Sequence, residues 1–300
     1  VTIEKQGITP LKPELDKIAA ISDPQGVIKM ASYLHTMQVQ PLFGNYIFQD
    51  EKNSNKFRLH FYQGGIGLPD RDYYFDKDER TVTIRNEYVK HISKMFQLTG
   101  IDAATADTYA QTIMKMETDF AGASRKLADL RDPYANYNSM AVADVNKLCP
   151  AINWESFLAD AGIKNIDTII VGQPEFFKQL NTSLTKESVD NWKIYLQWNL
   201  LNLAGNVLSN DLVMQDFYFN NQVLNGQKAI QPRWKRMVSL CDGLVGDALG
   251  QLYVAKYFPP DAKKKADELV ANLMAVYDER IQKLDWMSDV TKKKALEKLH

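Results

Sequence analysis

Apolar positions recur every three to four residues over most of the chain, the spacing of helices with one buried face. Ser22-Asp23-Pro24 combines an N-cap side chain with proline in the first turn, and Val27, Ile28, Ala31, Leu34 and Met37 then trace one stripe. A second long helix is predicted from about Arg80 to Leu98, carrying Ile84, Tyr88, His91, Ile92, Met95 and Phe96, with Gly100 as its stop. Asp102 caps a third, whose apolar face holds Ala106, Tyr109, Ile113, Met116 and Phe120. The same periodicity predicts helices over about 141–148, 153–161, 173–183, 186–208, 211–224, 231–257, 261–284 and 289–299. Thr185 is the expected cap of the helix over 186–208, with Glu187 at its second position to complement the helix dipole. Ser288 caps the last helix, which no Gly or Pro stops before His300, so the chain reads as a piece of something larger.

Strand signals are few. Phe43 to Phe48 and Lys56 to Tyr62 flank the polar stretch Asp50 to Asn55, predicting a hairpin with a longer loop. Thr168 to Val171 is a short β-branched run stopped by Gly172 and Pro174, a candidate third strand. Two antiparallel strands alone are marginal, so the hairpin must lie against helices. The expected fold is mainly α: residues 1–300 form one multi-helix lobe with a small β-hairpin insertion at about 43–62.

Composition narrows the classes without naming a function. Of the 300 residues 45% are hydrophobic and 11% aromatic, which argues against disorder. Lys+Arg 36 against Asp+Glu 37 gives a formal charge of -1, so no general attraction to nucleic acid or an anionic membrane is expected. No apolar stretch approaches the about 20 residues of a transmembrane helix. Cys149 and Cys241 sit in apolar contexts and read as two buried free thiols, with one disulfide between them as the alternative.

Reactive constellations are scarce in the sequence. The histidines are His35, His60, His91 and His300, and no H-E-x-x-H, C-x-x-C, G-x-S-x-G or P-loop occurs. Glu87 and His91 are four apart on one helical face, an ordinary surface contact rather than a zinc site, which needs three or four ligands. Gly64-Gly65-Ile66-Gly67 is followed by Leu68-Pro69-Asp70 and not by a helix, so it reads as a rigid turn leaving the hairpin. Gly243, Gly246 and Gly250 with Ala248 suggest a helix face that another helix approaches closely. The lysine runs at 263–265 and 292–294 sit beside acids and read as solvated faces. Tyr73, Tyr74, Tyr134, Tyr137, Trp192, Trp198 and Trp234 fall at core-like spacing rather than on a ligand platform.

The string GLPDRDYY, Gly67 to Tyr74, resembles the GLPxRDYY segment of the neprilysin and endothelin-converting-enzyme family of zinc metalloendopeptidases. Four further stretches are similar to that family in the same order. They are Tyr137 to Trp154, Thr168 to Phe177, Arg233 to Val254 and Leu284 to Leu299, the last reading LDWMSDVTKKKALEKL. The likeness spans about Val27 to Leu299 and is greatest to bacterial members of the oligopeptidase O kind. The motif residues Gly67, Leu68, Pro69, Arg71, Asp72, Tyr73, Tyr74, Trp154, Trp234 and Trp286 are expected to be structural. Gly67 and Pro69 set a turn, Arg71 and Asp72 satisfy one another, and the two tyrosines enter the helical core.

The resemblance implies a two-lobed enzyme around a closed cavity. A catalytic lobe would hold zinc through H-E-x-x-H and a downstream Glu, with the motif's Glu activating zinc-bound water. This chain would supply the other, neprilysin-like N-terminal lobe, which limits access to oligopeptides. Its expected partners are therefore the catalytic lobe of the same polypeptide and oligopeptide substrates. No catalytic residue, zinc ligand or substrate-binding residue carries over to any position here, so the chain alone is expected to be inactive and zinc-free. Where some members have Cys, this chain has Met237, which argues against an interlobe disulfide there. Bacterial relatives include envelope, secreted and cytoplasmic proteins, and the resemblance favours the envelope or secretion. The competing reading is a stand-alone, non-catalytic helical binding or scaffold protein. A further one is an unrelated ligand-binding domain built on the Trp- and Tyr-rich helices over 186–208 and 231–257.

Overall fold

The computed structural model describes residues 2–300, which group into two units, one running to Lys228 and the other covering Ala229–His300. In the first unit α1 (Thr2–Gln6) and α2 (Lys12–Ala19) precede α3 (Pro24–Thr36). The hairpin β1 (Gly44–Asp50) and β2 (Asn53–Tyr62) leads through α4 (Asp72–Phe75) to the long pair α5 (Glu79–Leu98) and α6 (Ala103–Ala123). Then come β3 (Asn138–Ala141), α7 (Val142–Leu148), α8 (Trp154–Asp160), β4 (Thr168–Val171), α9 (Pro174–Lys186), α10 (Val189–Ala204) and α11 (Asn210–Phe217). α11 runs on as a π-helical turn over Tyr218–Val223. The mainly α fold with a small β element is as the periodicity predicts.

The predicted helix starts at Ser22-Asp23 and Asp102 hold. Asp23 Oδ1 accepts from Gly26 N at 2.8 Å and Asp102 Oδ1 from Thr105 N at 3.0 Å. Thr185 does not cap α10. It lies inside α9, where its hydroxyl donates back to Asn181 O at 3.0 Å, and Ser188 takes the cap, its Oγ accepting from Asn191 N at 3.1 Å. A hydroxyl that can bond a preceding carbonyl extends its helix by a turn, and serine at the next boundary then satisfies the orphan donor. Glu187 meets Lys115 and accepts from Asn191 Nδ2 instead. Ser188→Ala is accordingly expected to cost about 1 kcal/mol in urea unfolding, and Thr185→Ala less than about half that.

Four strands form the sheet, in the order β1-β2-β4-β3, with β2 and β4 parallel and the other pairs antiparallel. The hairpin is tighter than predicted: Asp50 pairs with Asn53, and only Glu51 and Lys52 form the turn. Its polar stretch belongs to the ladder because backbone pairing does not require apolar side chains. β3 was not foreseen; a half-exposed strand of four residues, Asn138 to Ala141, is held by register with β4 rather than by its own apolar run.

Alternation decides which sheet face is buried. Leu59, Phe61, Ile169 and Val171 point into one core with Val27, Ala31 and Leu34 of α3, Trp154 and Phe157 of α8, and Phe176 and Phe177 of α9. Phe43 sits among them, with ring centroids 4.8 Å from Phe61 and 5.4 Å from both Trp154 and Phe177. A second core joins α5, α6, α10 and α11, where Ala106 and Ala110 bring α6 close to α5 and Trp198, Leu201 and Leu212 close the packing.

The second unit contains α12 (Arg233–Tyr257), α13 (Pro260–Lys283) and α14 (Asp289–Leu299). None of its residues is buried. α12 is broken at Val245, whose φ of -135° and ψ of 28° leave the helical region. The close helix approach expected at Gly243 and Gly250 is absent among the described residues, since nothing lies within 4 Å of where a Cβ would stand. No helix among the described residues is long and apolar enough to cross a membrane.

Candidate functional site

The GLPDRDYY segment leaves β2 through Gly64 and Gly65. Gly65 has φ +68°, where a side chain is strained, and Tyr195 Oη lies 2.6 Å from its carbonyl and 2.7 Å from that of Pro41. Asp70 Oδ1 accepts from Asp72 N at 2.8 Å, an Asx turn that starts α4. Arg71 donates to Asp72 Oδ1 at 3.0 Å, as the sequence suggests, and through Nε to Ala121 O at 3.3 Å. Tyr73 is only half-buried, and its carbonyl accepts from Arg85 at 2.9 Å. Tyr74 is buried in the core as expected.

What the sequence reading missed lies beneath Tyr74. Its hydroxyl accepts from Gly67 N at 3.2 Å and Leu68 N at 3.1 Å, and donates to Glu117 Oε2 at 2.6 Å. Glu117 Oε1 accepts from the Tyr88 hydroxyl at 2.9 Å, which in turn accepts from Trp198 Nε1 at 3.2 Å. The carboxyl is 2% exposed. Burial raises its pKa to about 7, against the lowering effect of the two phenol bonds. Burial first, and then the adjacent Glu117, raise the pKa of both Tyr74 and Tyr88 well above that of free tyrosine. Every partner in this network is a protein group, so it locks the turn between β2 and α4 onto α5, α6 and α10. A signal for it was present: Glu117 is a lone acid inside the stripe Ile113, Met116, Phe120 and Ala121.

The remaining motif residues divide. Leu68 is buried, and Trp154 is buried with Nε1 donating to Cys149 O at 3.2 Å. Trp234 and Trp286 are 66% and 74% exposed, and Tyr134 is exposed too, so these are not core residues of the described units. Trp192, Tyr195 and Trp198 are buried among their neighbours, which removes α10 as an aromatic ligand platform. Cys149 is a buried free thiol, pushed up to about 12 by burial, but Cys241 is exposed, because α12 buries none of its residues. Glu87 and His91 are no surface pair. His91 is buried, its Nδ1 3.1 Å from Gln215 Nε2 and its ring stacked on Phe219, while Glu87 meets Lys90 and accepts from Tyr218. Apolar neighbours on α11 and the π-helical turn draw the imidazole inward. Burial lowers the pKa of His91 to about 3 and of His35 to about 4, so both are neutral core histidines near pH 7.

No group of three or more His, Cys, Asp or Glu among the described residues could hold a metal ion. The residues present therefore do not fit a zinc site, which takes three or four such ligands.

The family profile described as peptidase family M13 matches residues 1–300. The chain belongs to that family. M13 relatives include endothelin-converting enzyme 1 of Cavia porcellus, 30% identical over 266 residues that cover 87% of this chain and 35% of the relative. Neprilysin-3 of Drosophila melanogaster is 27% identical over 317 residues, 99% of this chain and 40% of the relative. Among solved structures, the zinc metalloprotease Zmp1 of Mycobacterium tuberculosis in its open state has a TM-score of 0.88 and 34% identity, covering 99% of this chain and 46% of that one. This M13 chain thus spans between about a third and a half of the length of the relatives it matches. It corresponds to the N-terminal region of a neprilysin-like peptidase and lacks the family's catalytic region.

Proposed function

We propose that this chain is the cavity-forming, access-limiting N-terminal lobe of a zinc metalloendopeptidase that hydrolyses oligopeptides. The observation that carries this is the M13 match over residues 1–300, together with the lack of any metal-capable cluster among the described residues. The zinc and the groups that activate water belong to a catalytic lobe elsewhere in the same polypeptide. What this chain contributes is a wall: two packed cores and a sheet.

The second unit supports a partner lobe. Trp234, Leu244, Leu252, Tyr253 and Tyr257 of α12, and Trp286 between α13 and α14, are all at least 60% exposed in a unit that buries nothing. Apolar surface on that scale marks an interface. The rest of the polypeptide is its proposed occupant, since the matched relatives are more than twice as long as the matched region.

The test is proteolysis by the full-length natural polypeptide. Short peptides should be cut at internal bonds and denatured casein spared. Equal turnover of casein would remove the access-limiting role, and no cleavage of either would favour the stand-alone scaffold.

A further inference from the structure

Tyr46, His60, Tyr62 and Ile170 point away from the core on the outer face of the sheet, opposite Leu130 and Asn136. A cavity of about 240 Å³ lies between. Gly44 makes room for the Tyr62 ring, since a Cβ there would stand 1.9 Å from the Tyr62 Cζ. Two carboxamides on one side of the cavity, those of Gln173 and Asn136, are committed to the protein. Gln173 Oε1 accepts from Gln63 N at 2.9 Å, its Nε2 donates to Asn136 Oδ1 at 3.0 Å, and Asn136 Nδ2 donates to Leu130 O at 2.7 Å.

The uncommitted groups lie together on the other side. His60 is 3% exposed, and its Nε2 is buried with no partner. Its Nδ1 is 3.7 Å from Glu51 Oε1, too far for a hydrogen bond. Tyr46 stacks on the imidazole with centroids 4.8 Å apart and planes 9° from parallel. Glu51 is the sole formally charged side chain lining the cavity. The nearby cations are engaged elsewhere: Arg58 with Asp50 at 3.2 Å and Asp167 at 3.1 Å, Lys52 over the Tyr137 ring at 4.4 Å, and Arg125 with Glu175 and Asn136 Oδ1.

Glu51 repels an anion, and one carboxylate with one imidazole is too few ligands for a metal ion. A carboxylate beside two phenol rings suits a group that carries positive charge and N–H donors. The volume is below the about 300 Å³ of the smallest drug-sized pockets, so it admits a head group and stem but no folded segment. We propose that this cleft binds an organic cation, a guanidinium or ammonium head on a slender stem, donating to Glu51 beside the Tyr46 and Tyr62 rings. Arginine or lysine side chains and free alkylamines share that chemistry. The proposal goes beyond the peptidase reading and does not depend on it, because binding is read without turnover.

The experiment follows the His60 imidazole resonances of the full chain by NMR. The probes are agmatine, a blocked tripeptide with central arginine, and the same peptide with neutral citrulline. Agmatine should shift His60 saturably at millimolar concentration, Glu51→Gln should weaken it at least about tenfold, and the citrulline peptide should do nothing. Glu51 sits in the hairpin turn with its side chain 43% exposed, and a thermal melt checks that the variant stays folded. Binding of the arginine peptide alongside agmatine assigns the cleft to peptide side chains, and agmatine alone assigns it to free amines. No saturable shift with either probe, or undiminished binding to the folded Glu51→Gln variant, overturns the proposal.

Discussion

Glu117→Ala is expected to destabilise the chain by about 3–5 kcal/mol in urea unfolding at neutral pH, because it leaves two buried phenol donors unpaired and opens a cavity between α5, α6 and α10. Tyr74 and Tyr88 both donate to that carboxyl, and Tyr74 also accepts the two turn amides of Gly67 and Leu68. The loss therefore spreads from one side chain to the turn of the family motif. Glu117→Gln separates charge from shape. Burial raises the folded-state pKa of Glu117 from 4.5 to about 7, so the folded chain holds a proton that the unfolded chain releases in that interval. This contribution is fully present below pH 4.5 and is lost as pH rises through about 7, a total of order 3 kcal/mol. Unfolding free energies measured across that window should fall with rising pH in the parent chain, and that fall should flatten in Glu117→Gln. Parallel curves for the two would show that Glu117 keeps its ordinary pKa.

Gly67→Ala is expected to be nearly as damaging, at about 3 kcal/mol or more. A Cβ on Gly67 would stand 1.9 Å from Tyr88 Oη and 2.8 Å from its Cζ. Tyr88 cannot step aside: it is 1% exposed, with Phe219 at 5.2 Å and Trp198 at 6.0 Å between ring centroids. Either the ring moves and gives up Glu117 and Trp198, or the turn moves and gives up Tyr74. The reason for glycine here is space, in contrast to Gly65, where a left-handed φ is the constraint. Unfolding of Gly67→Ala within about 0.5 kcal/mol of the parent would contradict this packing.

The long helices were legible because stripe and cap agree: Asp23 with Val27, Ile28 and Ala31, Asp102 with Ala106, Ile113 and Phe120. The hairpin was legible from its aromatic flanks, but its turn was not, since Asp50 and Asn53 pair through backbone groups that side-chain polarity does not report. β3 was hidden for the same reason. α1 and α2 were not foreseen either; between them they bury only Ile18 among the described residues. Trp234 and Trp286 show the limit of reading burial from residue type. An apolar residue marks an interior only when the partner that covers it belongs to the same piece of chain. Glu117 was legible in principle, as an acid on an apolar stripe, yet nothing in spacing alone says that two tyrosines from α4 and α5 meet it.

If this chain is one lobe of a peptidase, as proposed, its metal lies elsewhere in the polypeptide. The most direct test is zinc content and chelator-sensitive peptide hydrolysis, measured in parallel on the 300-residue chain and on the full-length natural polypeptide. Stoichiometric zinc and hydrolysis are expected in the full-length protein, and neither in the chain alone. Stoichiometric zinc with chelator-sensitive cleavage by the 300 residues themselves, or a full-length protein without either, would contradict that proposal.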